Sequence, residues 1–145
     1  MAMQLTRAGE YAVKSLVHLA MQDNNTRVMA SDVAAAQDIP VNFVRKILES
    51  LAKTGLVKSY RGAGGGFTLG RHATQITIRQ IVEAVEGPLA LNQCMMPNAC
   101  EQVNDCPMSH IWIEAQHAVE DVLGRYSLAD VIRNNHRPRA INTVD

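Results

Sequence analysis

The chain has 145 residues, 47% of them hydrophobic and 19% charged, and a formal net charge of zero, values that fit one globular domain or a compact domain with an appendage. No run approaches the roughly 18 apolar residues that a membrane-spanning helix needs, and the N-terminal residues lack the apolar stretch of a signal peptide. The zero net charge hides an asymmetry, because residues 1–75 hold nine Lys/Arg and five Asp/Glu whereas residues 76–145 hold five and nine.

Two helices are predicted in the first 40 residues. The segment "LTRAGEYAVKSLVHLAMQ" has apolar residues at helical spacing, and Thr6 is predicted as its N-cap. The segment "TRVMASDVAAAQDIP" predicts a short alanine-rich helix with Ser31 as its N-cap. This helix should end near Gln37, because Pro40 cannot continue it.

A third helix is predicted from about Val41 to Thr54, and Gly55 stands where a C-terminal cap belongs. Its periodicity turns four apolar residues towards the core, namely Val44, Ile47, Leu48 and Leu51. The opposite, solvent-facing side then carries the polar residues Asn42, Arg45, Lys46, Glu49 and Lys53.

A β-hairpin is predicted after this helix, since "LVKSY" and "FTLG" read as short strands on either side of the glycine-rich "RGAGGG". We call this hairpin the wing. A short helix, a turn, a basic helix and a hairpin predict a mainly α fold with a small β-hairpin wing, that is, a winged helix-turn-helix domain over residues 1–75. The glycines do not form a P-loop or a dinucleotide-binding motif, because Gly66 is followed by Phe67 and a strand.

The charge of this region points to DNA. Residues 45–71 contain six Lys/Arg and one acidic residue, and the major groove of DNA admits an α-helix whose side chains reach base edges or phosphates. A merely solvated helix face would explain any single lysine, but the clustering on a helix and a hairpin favours DNA binding. The predicted DNA-contacting residues are Asn42, Arg45, Lys46, Glu49, Ser50 and Lys53 on the helix and Lys58, Arg61, Gly62 and Gly64 on the wing.

A fourth helix is predicted in "ITIRQIVEAVEGP", where Thr77 and Gln80 have the spacing of a capping box and Gly87 ends the pattern. Beyond the cysteine-containing segment, a long helix is predicted from about Pro107, with Ile111, Ala115, Ala118, Val119 and Val122 on one side. A last short helix, "LADVIRN", follows Ser127 as its cap.

The only cysteines are Cys94, Cys100 and Cys106, with five residues in each gap. An odd number of cysteines without an export signal favours the reducing cytoplasm and metal or redox chemistry. Structural zinc sites usually show closer cysteine pairs, core cysteines would have apolar neighbours, and a disulfide switch would leave one thiol over. The wide spacing favours an iron–sulfur cluster, although three thiolates are one ligand short.

Three motifs make the chain resemble the IscR/NsrR family of iron–sulfur winged-helix transcriptional regulators. They are "LTRAGEYAV", "IPVNFVRKILESLAKTGLVKSYRGAGGGFTLG" and the three evenly spaced cysteines followed by "IW". The resemblance implies a homodimer formed by the long helix, wings in the minor grooves of a DNA operator, and no enzymatic activity. It implies that residues 76–145 hold a cluster-binding loop (about 91–107) and the dimerisation helices, and that the cluster senses redox state, nitric oxide or iron–sulfur status. A 4Fe–4S cluster is favoured by this resemblance, and a 2Fe–2S cluster stays open.

The resemblance also implies a fourth cluster ligand. IscR-like members have a histidine three residues after the last cysteine, whereas this chain has Ser109 there and His110 one residue later. NsrR-like members take a carboxylate from the first helix of the other subunit, and Glu10 stands at the matching position. The prediction is therefore Glu10 of the partner subunit, with His110 or a solvent-derived ligand as alternatives. A cluster-free regulator of the same fold, switched by cysteine oxidation or by a protein partner, is the alternative to the cluster itself.

Overall fold

The computed structural model describes residues 6–23, 26–91 and 106–134. Within these ranges the chain forms six α-helices, one 3₁₀ turn and one two-stranded antiparallel hairpin, which confirms the predicted mainly α fold with a small β wing. The elements in chain order are α1 (Arg7–Ala20), α2 (Ala30–Gln37), α3 (Val41–Lys53), β1 (Val57–Tyr60), β2 (Gly66–Leu69), the 3₁₀ turn (Ala73–Gln75), α4 (Ile78–Glu86), α5 (Ser109–Arg125) and α6 (Leu128–Asn134).

Helices α1, α2 and α3 pack around one apolar core. The predicted inward residues of α3 are all buried, and they meet fully buried residues of α1 and α2 such as Leu16 and Val33. Thr6 caps α1 as predicted, because its Oγ1 accepts a hydrogen bond from the Gly9 amide at 3.3 Å.

The predicted cap of α2 is wrong. Ser31 lies inside the first turn, and the N-cap is Met29. Val28 is held by backbone pairing with Phe67, and the Asp32 carboxylate accepts a hydrogen bond from the Met29 amide at 3.2 Å. These tertiary and local contacts fix the chain up to residue 29, so the helix begins at Ala30 rather than after the serine.

Gly55 ends α3 as predicted. Its φ is +81°, and the amides of Gly55 and Leu56 donate to the carbonyls of Ala52 and Leu51, each at 3.2 Å. This is the Schellman arrangement, which uses the last helical carbonyls and turns the chain sharply into β1. The turn places the wing beside α3.

The wing has a register in which Val57 pairs with Leu69 and Tyr60 pairs with Gly66. A third chain segment joins it, because Val28 and Phe67 exchange two backbone hydrogen bonds of 2.9 and 2.8 Å. The segment before α2 therefore lies along β2 and ties the wing to the helical core.

The C-terminal half returns to the same core. The Thr77–Gln80 capping box is confirmed, with hydrogen bonds of 3.1 and 3.0 Å, and α4 packs against α1. Leu128 is fully buried in the core, and its amide donates to the Ile76 carbonyl at 2.8 Å. One core thus joins both sides of the predicted boundary at residue 75, and the division into two domains stays a prediction.

Helix α5 begins at Ser109, two residues later than predicted, and packs against α4. Within the three described ranges, no helix has the length and apolar character that crossing a membrane requires.

Candidate nucleic-acid interface and metal-ligating residues

The third helix presents a polar surface opposite its buried side. Asn42, Arg45, Lys46, Glu49 and Lys53 are exposed as predicted, and Ser50 is half-buried at the edge of this surface. Because Val44, Ile47, Leu48 and Leu51 anchor the other side in the core, the orientation of the polar surface is fixed by packing. The arrangement can place several hydrogen-bonding groups along one groove of a duplex.

Phe43 belongs to the same exposed surface, and sequence reasoning missed it. Its side chain is 54% exposed in the first turn of α3, and its ring packs edge-on against Tyr11 of α1 at 6.3 Å between centroids. Its place close to the start of the helix could have suggested it, because the N-terminal turn of such a helix approaches base edges.

The wing tip (residues 61–65) is exposed except for the half-buried Gly65, and Lys58 at its base is exposed as well. Gly62 and Gly64 have φ values of +82° and +77°, and nothing lies within 4 Å of a Cβ built on either residue. These two glycines therefore serve the turn conformation, and they leave the tip free of side chains that would hold another surface away.

Arg27 lies against the wing, although no sequence pattern pointed to it. Its guanidinium carbon is 3.8 Å from the centroid of the Tyr60 ring, and its Nη1 donates to the Gly64 carbonyl at 2.8 Å. The Lys58 ammonium lies 5.5 Å from the same ring centroid. A hydrogen bond from the Thr68 side chain, with the nearby charges of Lys58 and Arg27, lowers the pKa of Tyr60 from its ordinary value.

The basic residues of α3 and the wing have no acidic partner in the described part of the chain. The ion pairs there join Lys14 to Glu10, Arg79 to Glu83 and Glu120, and Arg133 to Asp130, all outside this region. We use the name basic surface for the exposed residues Arg27, Arg45, Lys46, Lys53, Lys58 and Arg61. An uncompensated cluster of this kind attracts a polyanion.

Of the three cysteines, the structure describes Cys106, and Cys94 and Cys100 lie outside the described residues. Cys106 is exposed with a free thiol, and its carbonyl accepts a hydrogen bond from the Ser109 amide at 3.1 Å just before α5. His110 is exposed in the first turn of α5. Among the described residues, no group of three or more His, Cys, Asp or Glu side chains is placed to hold a metal ion.

Glu10 lies on the first turn of α1, where its side chain is 56% exposed and its Oε1 is 3.0 Å from Lys14 Nζ. The neighbouring turn is fixed from a distance, because Glu86 at the end of α4 accepts a hydrogen bond from the Thr6 amide at 2.8 Å. The start of α1, with Glu10, is thereby attached to the end of α4, six residues before the segment that holds the first two cysteines.

The last described residues before that segment are held by Gln116, which is only 7% exposed. Its Oε1 accepts from the Leu91 amide at 2.9 Å, and its Nε2 donates to the Leu89 carbonyl and to Glu120 Oε1, the latter at 2.8 Å. Gln116 therefore joins the chain leading to Cys94 to the helix that follows Cys106.

Comparisons with known proteins agree with this architecture. Residues 5–134 match the family model Rrf2, described as an iron-dependent transcriptional regulator. The chain is 30% identical over 132 residues to the HTH-type transcriptional regulator IscR of Xenorhabdus nematophila, covering 91% of this chain and 80% of that protein.

Solved structures give the same result. The CymR (YrzC) global cysteine regulator of B. subtilis is 25% identical with a TM-score of 0.74, over 91% of this chain and 98% of that one. The T. potens IscR structure is 25% identical with a TM-score of 0.74, over 96% and 95% of the two chains.

Proposed function

We propose, since the chain belongs to the Rrf2 family of transcriptional regulators, that its operator binding is controlled by an iron–sulfur cluster held by Cys94, Cys100 and Cys106. The chain is a DNA-binding regulator and not an enzyme, as its relatives are named. The observation that carries the DNA-binding half is the basic surface on α3 and the wing, which faces solvent without acidic partners in the described ranges.

The donor set supports the cluster. Thiolates are the usual ligands of iron–sulfur clusters, and the one described cysteine, Cys106, is exposed rather than packed in the core. The match to an iron-dependent family model and the IscR relative support the same metal. When bound, the cluster would supply a centre whose charge and integrity change with oxidants or nitric oxide.

For the fourth ligand we propose Glu10 of the partner subunit. The carboxylate is exposed at the start of α1, and its contact in the described part of the chain is an ion pair with Lys14, which is also exposed. Exposed pairs of this kind are weak, so the carboxylate can leave Lys14 at little cost. His110 is the alternative, because it is exposed four residues after Cys106.

Control of DNA binding would pass through α1. This helix packs against both α3 and α4, so a force on Glu10 acts on an element that touches the DNA-reading helix. In a homodimer, a ligand donated by the partner subunit would fix the distance between the two α3 helices, which must match half-sites about 34–36 Å apart.

The experiment that tests this proposal compares oxygen-free preparations of four proteins: wild type, Cys106→Ser, Glu10→Gln and the control Glu114→Gln, which changes another exposed carboxylate. Iron and sulfide content, the visible absorption spectrum and operator affinity are measured on each. We expect wild type and the control to carry the cluster, Cys106→Ser to lose it, and Glu10→Gln to keep iron but respond less to nitric oxide or oxidant. Wild-type protein without iron and sulfide would refute the cluster, and wild-type switching by Glu10→Gln would refute the fourth ligand.

A cluster-free regulator switched through its thiols is the second candidate. The observation that favours it is the similarity to CymR, which is named a cysteine regulator and matches as well as IscR does. The same preparation separates the two, because a colourless protein whose DNA affinity follows thiol oxidation would support this alternative.

A further inference from the structure

Arg27 combines three features that no assigned role explains. Its guanidinium stacks on Tyr60, it donates to the carbonyl of Gly64, and the side chain is exposed. A surface arginine normally gives up rotamer freedom only when its contacts compensate for it. Here a planar cation is held by two interactions of different kinds, which is the pre-organised state that suits arginine recognition of phosphate.

The hydrogen bond to Gly64 fixes where the cation lies. Gly64 is part of the wing tip, so a guanidinium nitrogen 2.8 Å from its carbonyl oxygen lies at the tip as well. The backbone pairing of Val28 with Phe67 holds Arg27 in this place from the other side. Any surface that the wing tip approaches is therefore also approached by Arg27.

The local charge calls for an anion. Arg27 and Lys58 both lie near the face or edge of one Tyr60 ring, at 3.8 and 5.5 Å from its centroid, and Arg61 follows in the chain. No carboxylate of the described residues pairs with these cations. A guanidinium has five N–H donors, and one of those of Arg27 is used by Gly64, so others remain for a ligand.

We propose that Arg27 forms a phosphate-binding site of the wing with Lys58. Arg27 holds the tip through Gly64 and binds a DNA backbone phosphate with its remaining N–H groups. Tyr60 keeps the guanidinium plane in place by stacking. The site reads the backbone and not the base sequence, and it acts beside the DNA contact predicted for Arg61. This inference depends on the DNA-binding half of the proposed function and not on the cluster.

The test measures binding to sonicated genomic duplex DNA over a series of salt concentrations, because this probe reports phosphate binding without a known operator. The variants are Arg27→Gln, which removes the charge, and Arg27→Lys, which keeps the charge but cannot stack and bond in the same way. The control is Arg133→Gln, which removes an exposed arginine that pairs with Asp130 on α6.

For Arg27→Gln we expect binding at least about fivefold weaker at moderate salt, and a salt dependence reduced by about 0.9 in log–log slope for each phosphate that the variant no longer neutralises. For Arg27→Lys we expect intermediate affinity with the wild-type slope. The control should match wild type in both quantities, and circular dichroism should show that all variants are folded.

Other results would overturn the site. An Arg27→Gln protein with wild-type affinity and slope would show that Arg27 meets no phosphate. Equal weakening by the glutamine and lysine variants, with an unchanged slope in both, would show a purely structural role. Wild-type protein that does not bind duplex DNA at all would refute the DNA-binding function together with the site, whereas the first two results would refute the site alone.

Discussion

The glycines of the wing differ in what they do, although all stand in one short run of sequence. A Cβ on Gly66 would lie 2.9 Å from the Val28 carbonyl oxygen, and the φ of Gly66 is +137°. Gly64 has a φ of +77° but open space around it. Position 66 therefore needs glycine for both conformation and close backbone approach, whereas position 64 needs it for conformation alone.

We predict that Gly66→Ala destabilises the fold far more than Gly64→Ala. The expected decrease in the free energy of unfolding is at least about 3 kcal/mol for Gly66→Ala, because strain adds to a clash with backbone that cannot move aside. For Gly64→Ala it is on the order of 1 kcal/mol from the left-handed conformation. Urea unfolding followed by circular dichroism measures both, and equal decreases would contradict the role assigned to the Val28 approach.

Residue-scale prediction from the sequence was good where a local rule applies. The exposed polar residues of α3 and the caps Thr6, Thr77 and Gly55 follow from periodicity and capping chemistry, and they lie where predicted. Arg27 was missed, because its partners Tyr60 and Gly64 are more than 30 residues away and no spacing rule connects them.

At the scale of elements, the packing of α4 against α5 depends on a few polar groups. Gln116 satisfies the backbone of Leu89 and Leu91, and Glu120 connects it to Arg79, which lies 3.6 Å away on α4. Arg79 also bonds Glu83 at 3.0 Å, and this bond, with the charges of Glu83 and Glu120, raises the pKa of Arg79. A buried polar group of this kind fixes the register of the elements that it joins.

We predict that Gln116→Met releases residues 89–91 from α5. The replacement has a similar size but leaves the Leu91 amide and the Leu89 carbonyl without their partner, so the free energy of unfolding should fall by about 1–3 kcal/mol. Hydrogen exchange should show faster exchange of the Leu91 amide.

The control for this change is His117→Met on the neighbouring exposed position, which should leave the exchange of Leu91 unchanged. Protection of Leu91 that persists in Gln116→Met would contradict the anchoring role.

At the scale of the whole molecule, α5 has an apolar side without a partner in the described part of the chain. Ile111 and Val122 are each 44% exposed, and Ala118 between them is exposed too. The predicted homodimer would cover this side with the same helix of a second copy, since the three residues lie on one helical stripe.

We predict that Val122→Glu makes the protein monomeric and weakens its binding to a two-half-site operator. A charge in the middle of an apolar helix pair is costly to bury, and a monomer lacks the contribution of the second half-site. Sedimentation equilibrium measures the mass, and His117→Glu is the control, because it adds a charge outside the stripe. A monomeric wild type, or a dimeric Val122→Glu protein, would contradict the proposed interface.

The sequence by itself determined the helices, the hairpin and the polar side of α3, because periodicity, caps and turn glycines act over a few residues. It also determined which residue types could bind iron, although the placement of Cys94 and Cys100 lies outside the described residues.

Only the tertiary structure decided that Met29 rather than Ser31 caps α2, that Glu86 holds the start of α1, and that Arg27 sits on the wing. The physical reason is the same in each case. These interactions join groups that are distant in the chain, and they form only after the apolar core has brought the elements together.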